Sequence, residues 1–128
     1  MSQKLREQAL AIYRAGLSAA EPKRILEEVD IPETLPGGRL LIFGAGKAAA
    51  HLGKALEEKL AGREYSGRII TKYDHGLPLK NLVVEEGGHP LPDLSGLRAT
   101  EHILTDLAEI RTTDRIIFLL TGGASSLL

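Results

Sequence analysis

The stretch Arg39-Leu40-Leu41-Ile42-Phe43, followed at once by Gly44-Ala45-Gly46-Lys47, limits the fold of this chain more than any other feature. Four consecutive apolar residues after Arg39 show no alternation, the pattern of a strand covered on both faces. Strands of that kind sit in parallel sheets flanked by helices, since antiparallel sheets commonly leave one face wet and alternate in polarity. The glycines then pass the chain into Lys47–Ala61, where Ala48, Leu52, Ala55, Leu56 and Leu60 recur at helical spacing until Gly62 ends the run.

Strands and helices go on alternating downstream. Gly67–Thr71 and Leu82–Glu86 read as a second and a third strand. Residues 95–109 read as an amphipathic helix with Leu97, Ile103, Leu104, Leu107 and Ala108 facing inward. Arg115–Leu120 is a fourth strand, and it runs into Thr121-Gly122-Gly123-Ala124-Ser125-Ser126. Upstream, Leu5, Ala9, Ile12, Tyr13, Gly16 and Leu17 form a helical stripe within residues 2–20, and Pro22 opens a short second helix. Ile31-Pro32 and Leu35-Pro36-Gly37-Gly38 break the chain before the first strand. The expected architecture is an N-terminal helical cap over 1–36 and an α/β domain over 37–128. That domain is a doubly wound, mostly parallel, Rossmann-like sheet with helices on both faces. The apolar fourth strand wants cover on both sides, yet the sequence stops at Leu128, where the next helix is due. A sheet truncated after its fourth strand is therefore expected, as part of a longer protein.

Composition removes several function classes. Sixteen Lys and Arg against seventeen Asp and Glu leave no basic surplus for a nucleic-acid partner. Aromatic residues are 4% with no Trp, too few for a base-stacking surface. Cysteine is absent, which excludes disulfides and thiolate metal sites. No segment approaches the ~18 apolar residues of a membrane span, and the polar N-terminus is no signal peptide, so a cytoplasmic location is expected. Exposed apolar faces of an incomplete sheet leave homo-oligomer formation open.

The residues able to carry chemistry collect where strands end. In open parallel sheets ligands gather beyond those carboxyl ends. At Gly44-Ala45-Gly46-Lys47 a strand hands glycines to a helix N-terminus, an arrangement that suits phosphate, with Lys47 adding an ammonium. A P-loop would need a glycine where Leu41 stands and a Ser or Thr where Ala48 stands, so that motif fails. Gly44, Gly46 and Ala49 meet the dinucleotide fingerprint, but the second strand ends in Thr71-Lys72 with Asp74 only later, without the ribose-binding acid. The other constellations are Thr71-Lys72-Tyr73-Asp74-His75-Gly76, Glu85-Glu86-Gly87-Gly88-His89-Pro90-Leu91-Pro92-Asp93 and the turn Thr121–Ser126. Asp93 or Ser95 also suits the N-cap of the helix that follows. His89 lacks a second His or acid at ligand spacing, so no metal site is expected.

Together, Gly44-Ala45-Gly46-Lys47-Ala48, Lys72-Tyr73-Asp74-His75-Gly76, Gly88-His89-Pro90-Leu91-Pro92-Asp93 and Thr121-Gly122-Gly123-Ala124-Ser125-Ser126-Leu127 resemble a known family. It is the class of glycerate kinases with a Rossmann-like N-terminal domain and a C-terminal domain of the MOFRL type. The resemblance spans this chain but only the first third of a family member, the C-terminal MOFRL-type domain being absent. It implies ATP-dependent phosphoryl transfer to the 2-hydroxyl of D-glycerate with Mg2+, by a chain inactive without the remainder. It implies Lys47 as the catalytic cation. Gly44, Gly46, His75, His89, Gly122, Gly123 and Ser125 would contact phosphate or substrate, and no metal ligand would lie in this stretch. Asp74 and Ala124 depart from the family's glycines. Two other readings stand beside it, a hydroxypyruvate reductase-like NAD(P)-dependent oxidoreductase and a non-catalytic sugar-phosphate-binding domain.

Overall fold

The computed structural model describes residues 2–128. Two compact units follow each other along the chain, residues 1–30 and residues 31–128. The first holds α1 (Gln3–Ala19), capped by the Ser2 hydroxyl on the Leu5 amide, and α2 (Pro22–Glu27), with proline in its first turn. The second unit begins at Ile31 rather than after residue 36. The breaker-rich connection travels with the sheet, where Arg63 donates to the Pro32 carbonyl at 2.9 Å.

The second unit alternates as the sequence pattern requires: β1 (Leu40–Ala45), α3 (Ala49–Lys59), β2 (Ser66–Lys72), β3 (Leu82–Gly87), α4 (Leu94–Ala108), β4 (Arg115–Leu120) and α5 (Ala124–Leu127). The strands are all parallel, in the order β3-β2-β1-β4. Every residue of β1 is buried, because it lies between β2 and β4 with packing on both faces. Among the described residues no helix is long and apolar enough to cross a membrane.

The register between β1 and β4 has a polar lock at its start. Asp114, whose side chain is wholly shielded from solvent, accepts the Arg39 amide at 2.8 Å and the Arg39 guanidinium at 2.7 and 3.1 Å. It also accepts the Arg111 amide at 3.0 Å. The Arg39 guanidinium holds this carboxyl far below the usual carboxylate range. With Leu40 opposite Arg115, the lock fixes which residues reach the other end of the two strands together. That end carries the glycine turns.

Pairing along the sheet places Leu41, Phe43, Ile116, Phe118 and Leu120 on one face. There Leu41, Phe43 and Ile70 pack with Ala99 and Ile103 of α4 and with Leu127. Burying such side chains contributes about 1.5–3 kcal/mol each. α4 lies over β2, β3 and the β1 side chains Leu41 and Phe43 but not over β4, leaving Ile116, Phe118 and Leu120 exposed at 44%, 44% and 67%. Two expectations change as a result. The fourth strand is covered on one face only, and Leu97, Leu104 and Ala108 of α4 are exposed, while Gly96, Ala99 and Ile103 point inward. The physical reason is shared: the flank of α4 that carries those residues meets no packed neighbour. On the opposite face Ala49, Ala50, Gly53, Leu56 and Leu60 bury α3, whereas Ala48 is exposed just before the helix starts.

Candidate functional site

In the strand order β3-β2-β1-β4, successive connections run one way from β1 and then reverse to reach β4. The crevice at such a reversal, beyond the carboxyl ends of the strands, is where open α/β sheets hold ligands. The turn after β1 and the turn after β4 meet there. Lys47 donates its amide to the Gly122 carbonyl at 2.9 Å, and Ala48 donates to the Thr121 hydroxyl at 3.1 Å. The two turns are one hydrogen-bonded unit.

Glycine is required in this unit for different reasons at different places. Gly46 has φ of +128°, and a Cβ there would run into the Thr121 hydroxyl and lie 2.5 Å from the Thr121 carbonyl oxygen. Its amide already donates to the Ile70 carbonyl at 3.1 Å, and Gly44 is buried within the β1 ladder. Gly46 therefore lets the two turns close on each other, while Gly44 lets β1 lie close to Leu119 and Ile69. Gly123 has φ of +93°, and a Cβ on it would lie 2.7 Å from His89 Nε2 and 3.1 Å from Lys47 Cγ. The Lys47 stem thus lies along the Gly122-Gly123 turn, with Cε 3.9 Å from where a Gly122 Cβ would be. No hydrogen bond within the turn uses the amides of Gly122 and Gly123.

Lys47 is not in a helix, as its sequence position after the glycines suggested. α3 begins at Ala49, so Lys47 stands exposed in the turn itself. Its carbonyl accepts from the Thr71 hydroxyl at 3.4 Å and lies 3.1 Å from His75 Nδ1. A carbonyl only accepts, so Nδ1 donates in this contact, and in the neutral tautomer Nε2 is left as the acceptor. Asp74, beside it, keeps the left-handed φ of 64° that a glycine would adopt, a region Asp tolerates better than most residues. Ala124 is buried as the first residue of α5.

The loop after β3 completes the arrangement. Its half-buried His89 reaches Gly123, as above. Asp93 accepts the Gly88 amide at 3.0 Å and the Gly96 amide at 2.9 Å, and so caps α4. Its other oxygen accepts the Tyr73 hydroxyl at 2.6 Å. Held first by that Tyr73 bond and then by the Gly96 and Gly88 amides, the Asp93 carboxyl falls to about 2. The structure therefore brings Lys47, His89, Gly122 and Gly123 into contact and sets His75 against the Lys47 backbone. Ser125 stands exposed in the first turn of α5, whereas Ser126 turns back to donate to the Gly123 carbonyl at 3.1 Å. Sequence reasoning missed Thr121 as a clasp and Tyr73 as a partner of Asp93. Nothing in their local pattern marks either, since both bonds join distant segments.

Among the described residues no three His, Cys, Asp or Glu side chains gather where they would hold a metal. Clefts of ≈ 520 and ≈ 410 Å³ open at the amino ends of the strands, near Arg39 and Lys80. They are remote from the tips. The arginine of the larger one at β1 is already committed to Asp114.

A family model described as a domain of unknown function, DUF4147, matches residues 8–128. The D-glycerate 2-kinase of Thermotoga maritima is 33% identical over 127 residues, which is 96% of this chain and 29% of that protein. A protein of Agrobacterium vitis, provisionally named a hydroxypyruvate reductase, is 34% identical over 117 residues, 91% of this chain and 26% of its own length. The crystal structure of glycerate kinase from Thermotoga maritima superposes with a TM-score of 0.87 at 30% identity, over 99% of this chain and 30% of that one. The chain thus spans under a third of the length of the relatives it matches.

Proposed function

From a chain that belongs to the DUF4147 family, we infer one part of a glycerate 2-kinase, the part that grips an anionic oxygen cluster at the sheet's switch point. One observation carries the reading: the Lys47 stem lies along the Gly122-Gly123 turn where the tips of β1 and β4 converge. An ammonium beside two uncommitted backbone amides is a site for a phosphate or carboxylate, and phosphoryl transfer chiefly asks for such placed charge.

In the reaction, the 2-hydroxyl oxygen of D-glycerate attacks the γ-phosphorus of ATP while the bond to the β-bridging oxygen breaks and ADP leaves. The hydroxyl proton goes to an acceptor, a role that fits His75 Nε2, which the Lys47 carbonyl fixes in the accepting tautomer. Lys47, Gly122 and Gly123 neutralise charge on the transferred group or the glycerate carboxylate, with Ser125 and His89 as further donors at the rim. Among the described residues the carboxylates make no metal cage. Magnesium fits as an ion that arrives with the nucleotide phosphates, the usual manner for that cation.

The oxidoreductase reading is weaker here. β2 ends in Thr71, buried and bonded to the Lys47 carbonyl, and then Lys72, so no acid stands where an adenine ribose is bound. A chimera in which this chain replaces its counterpart in the Thermotoga maritima enzyme tests both. Formation of ADP from ATP and D-glycerate is expected, without NADH oxidation on hydroxypyruvate. Lys47→Ala should lower kcat about 100-fold or more, the scale of losing a charge-stabilising donor. Near-normal turnover in Lys47→Ala, or NADH-dependent turnover, would overturn the reading. On the isolated chain, titration with inorganic phosphate and D-glycerate followed by amide NMR should shift Gly122 and Gly123, and Lys47→Ala should abolish the shifts.

A further inference from the structure

The group that sets His89 against the glycine turn is not in the turn. We propose that Tyr73 and Asp93 are a positioning pair, which ties the β2 exit loop to the β3 exit loop and thereby fixes His89 beside Lys47. The use made of that placement rests on the phosphoryl-transfer reading. The placement itself does not.

Two exit loops and the first turn of α4 meet on one carboxylate. Oδ1 of Asp93 holds the Gly88 amide, which immediately precedes His89, and the Gly96 amide of α4. Oδ2 holds the Tyr73 hydroxyl. Tyr73 in turn donates its amide to the Gly87 carbonyl at 3.3 Å, so it grips the base of the same loop twice. There is no slack at this junction. A Cβ on Gly88 would lie 3.0 Å from Asp93 Cγ, and one on Gly87 would lie 2.9 Å from Gly96 Cα. Among the described residues no hydrogen bond holds the His89 ring where it stands against Gly123. The loop must hold it, and the loop hangs from Asp93. The β2 exit loop carries His75 two residues beyond Tyr73, so both histidines are referred to the same anchor.

An N-cap alone does not account for this. A cap needs one oxygen on one or two amides of the first turn. The second oxygen of Asp93, on a hydroxyl from another strand's exit loop, adds nothing to α4 and everything to the relation between loops. Its charge strengthens that bond beyond a neutral pair.

Two variants separate the roles. Asp93→Ser keeps an oxygen that caps α4 but is too short to reach Tyr73 as well, and Tyr73→Phe removes only the hydroxyl. The proximity of the His89 ring to Gly123 is read by NMR as a cross-peak between them, and binding is read with inorganic phosphate and D-glycerate as probes. Both variants should still fold and melt cooperatively, lose the His89–Gly123 cross-peak, and bind the probes about tenfold more weakly, the equivalent of one charged hydrogen bond. A cross-peak that persists in both variants overturns the proposal. A wild-type chain that binds neither probe but loses its cross-peak in both variants would leave the positioning pair standing and count against the kinase reading.

Discussion

Replacing Gly46 by alanine tests whether the two glycine turns are locked together as described. The substitution carries two separable costs. At φ of +128° an L-residue is strained whatever surrounds it, by about 1–2 kcal/mol. The added methyl also meets the Thr121 hydroxyl and lies 2.5 Å from the Thr121 carbonyl, an overpacking of about 1–3 kcal/mol. Their sum, about 2–5 kcal/mol, is a large share of the stability of a small domain, about 5–15 kcal/mol. Urea denaturation should show it as a lowered midpoint with an unchanged slope. Gly62→Ala is the internal standard. Gly62 has φ of +85° with nothing within 4 Å of the new methyl, so it pays the strain alone. The difference between the two variants isolates the contact with Thr121. Thr121→Ala in the Gly46→Ala background should recover part of that difference but not all, since the carbonyl obstacle is backbone. Equal losses for Gly46→Ala and Gly62→Ala would refute the interlocked turns, and with them the reason Lys47 lies on Gly122-Gly123.

Two further measurements probe other parts of the argument. Phe43→Ala should cost about 3–5 kcal/mol as a buried large-to-small change, and Phe118→Ala on the uncovered half of the same sheet face about 1 kcal/mol. Equal costs in chemical denaturation would mean that the β4 face is covered in solution. The Asp93 carboxyl is depressed from 3.8 to about 2 on folding, so it stabilises the fold above its unfolded value and that contribution disappears as pH falls toward 2. The stability gap between wild type and Asp93→Asn should be constant above about pH 4 and close between about pH 4 and 2. A gap that does not change with pH would remove the Tyr73 and amide bonds from the account.

Much of the architecture is legible in the sequence alone. Unbroken apolar strands, stripes at helical spacing and glycines at strand ends are local facts, and they suffice for parallel strands alternating with helices. β4 falls at Arg115–Leu120 as its apolar run requires, and Pro22 opens α2. Sequence and structure part where a residue's fate depends on a neighbour from elsewhere in the chain. Leu97 and Leu104 carry the periodicity of a buried stripe, yet exposure is set by what lies over β4, which periodicity does not encode. Lys47 looked like the first helical residue, yet its amide is drawn to the Gly122 carbonyl before the helix starts.

The candidate site divides along the same line. Lys47, His75, His89, Gly122 and Gly123 were recognisable from residue type, because cations, imidazoles and glycines at strand tips are uncommon combinations. Tertiary structure alone decided their relation. It closes the β1 turn on the β4 turn through Thr121, leaves Gly122 and Gly123 rather than Gly44 and Gly46 with uncommitted amides, and hangs the His89 loop from Asp93 and Tyr73. The physical reason is range. Backbone conformation and burial pattern are written within a few residues, whereas a hydrogen bond between loops 20 or 73 positions apart exists only after the sheet has set the strand order.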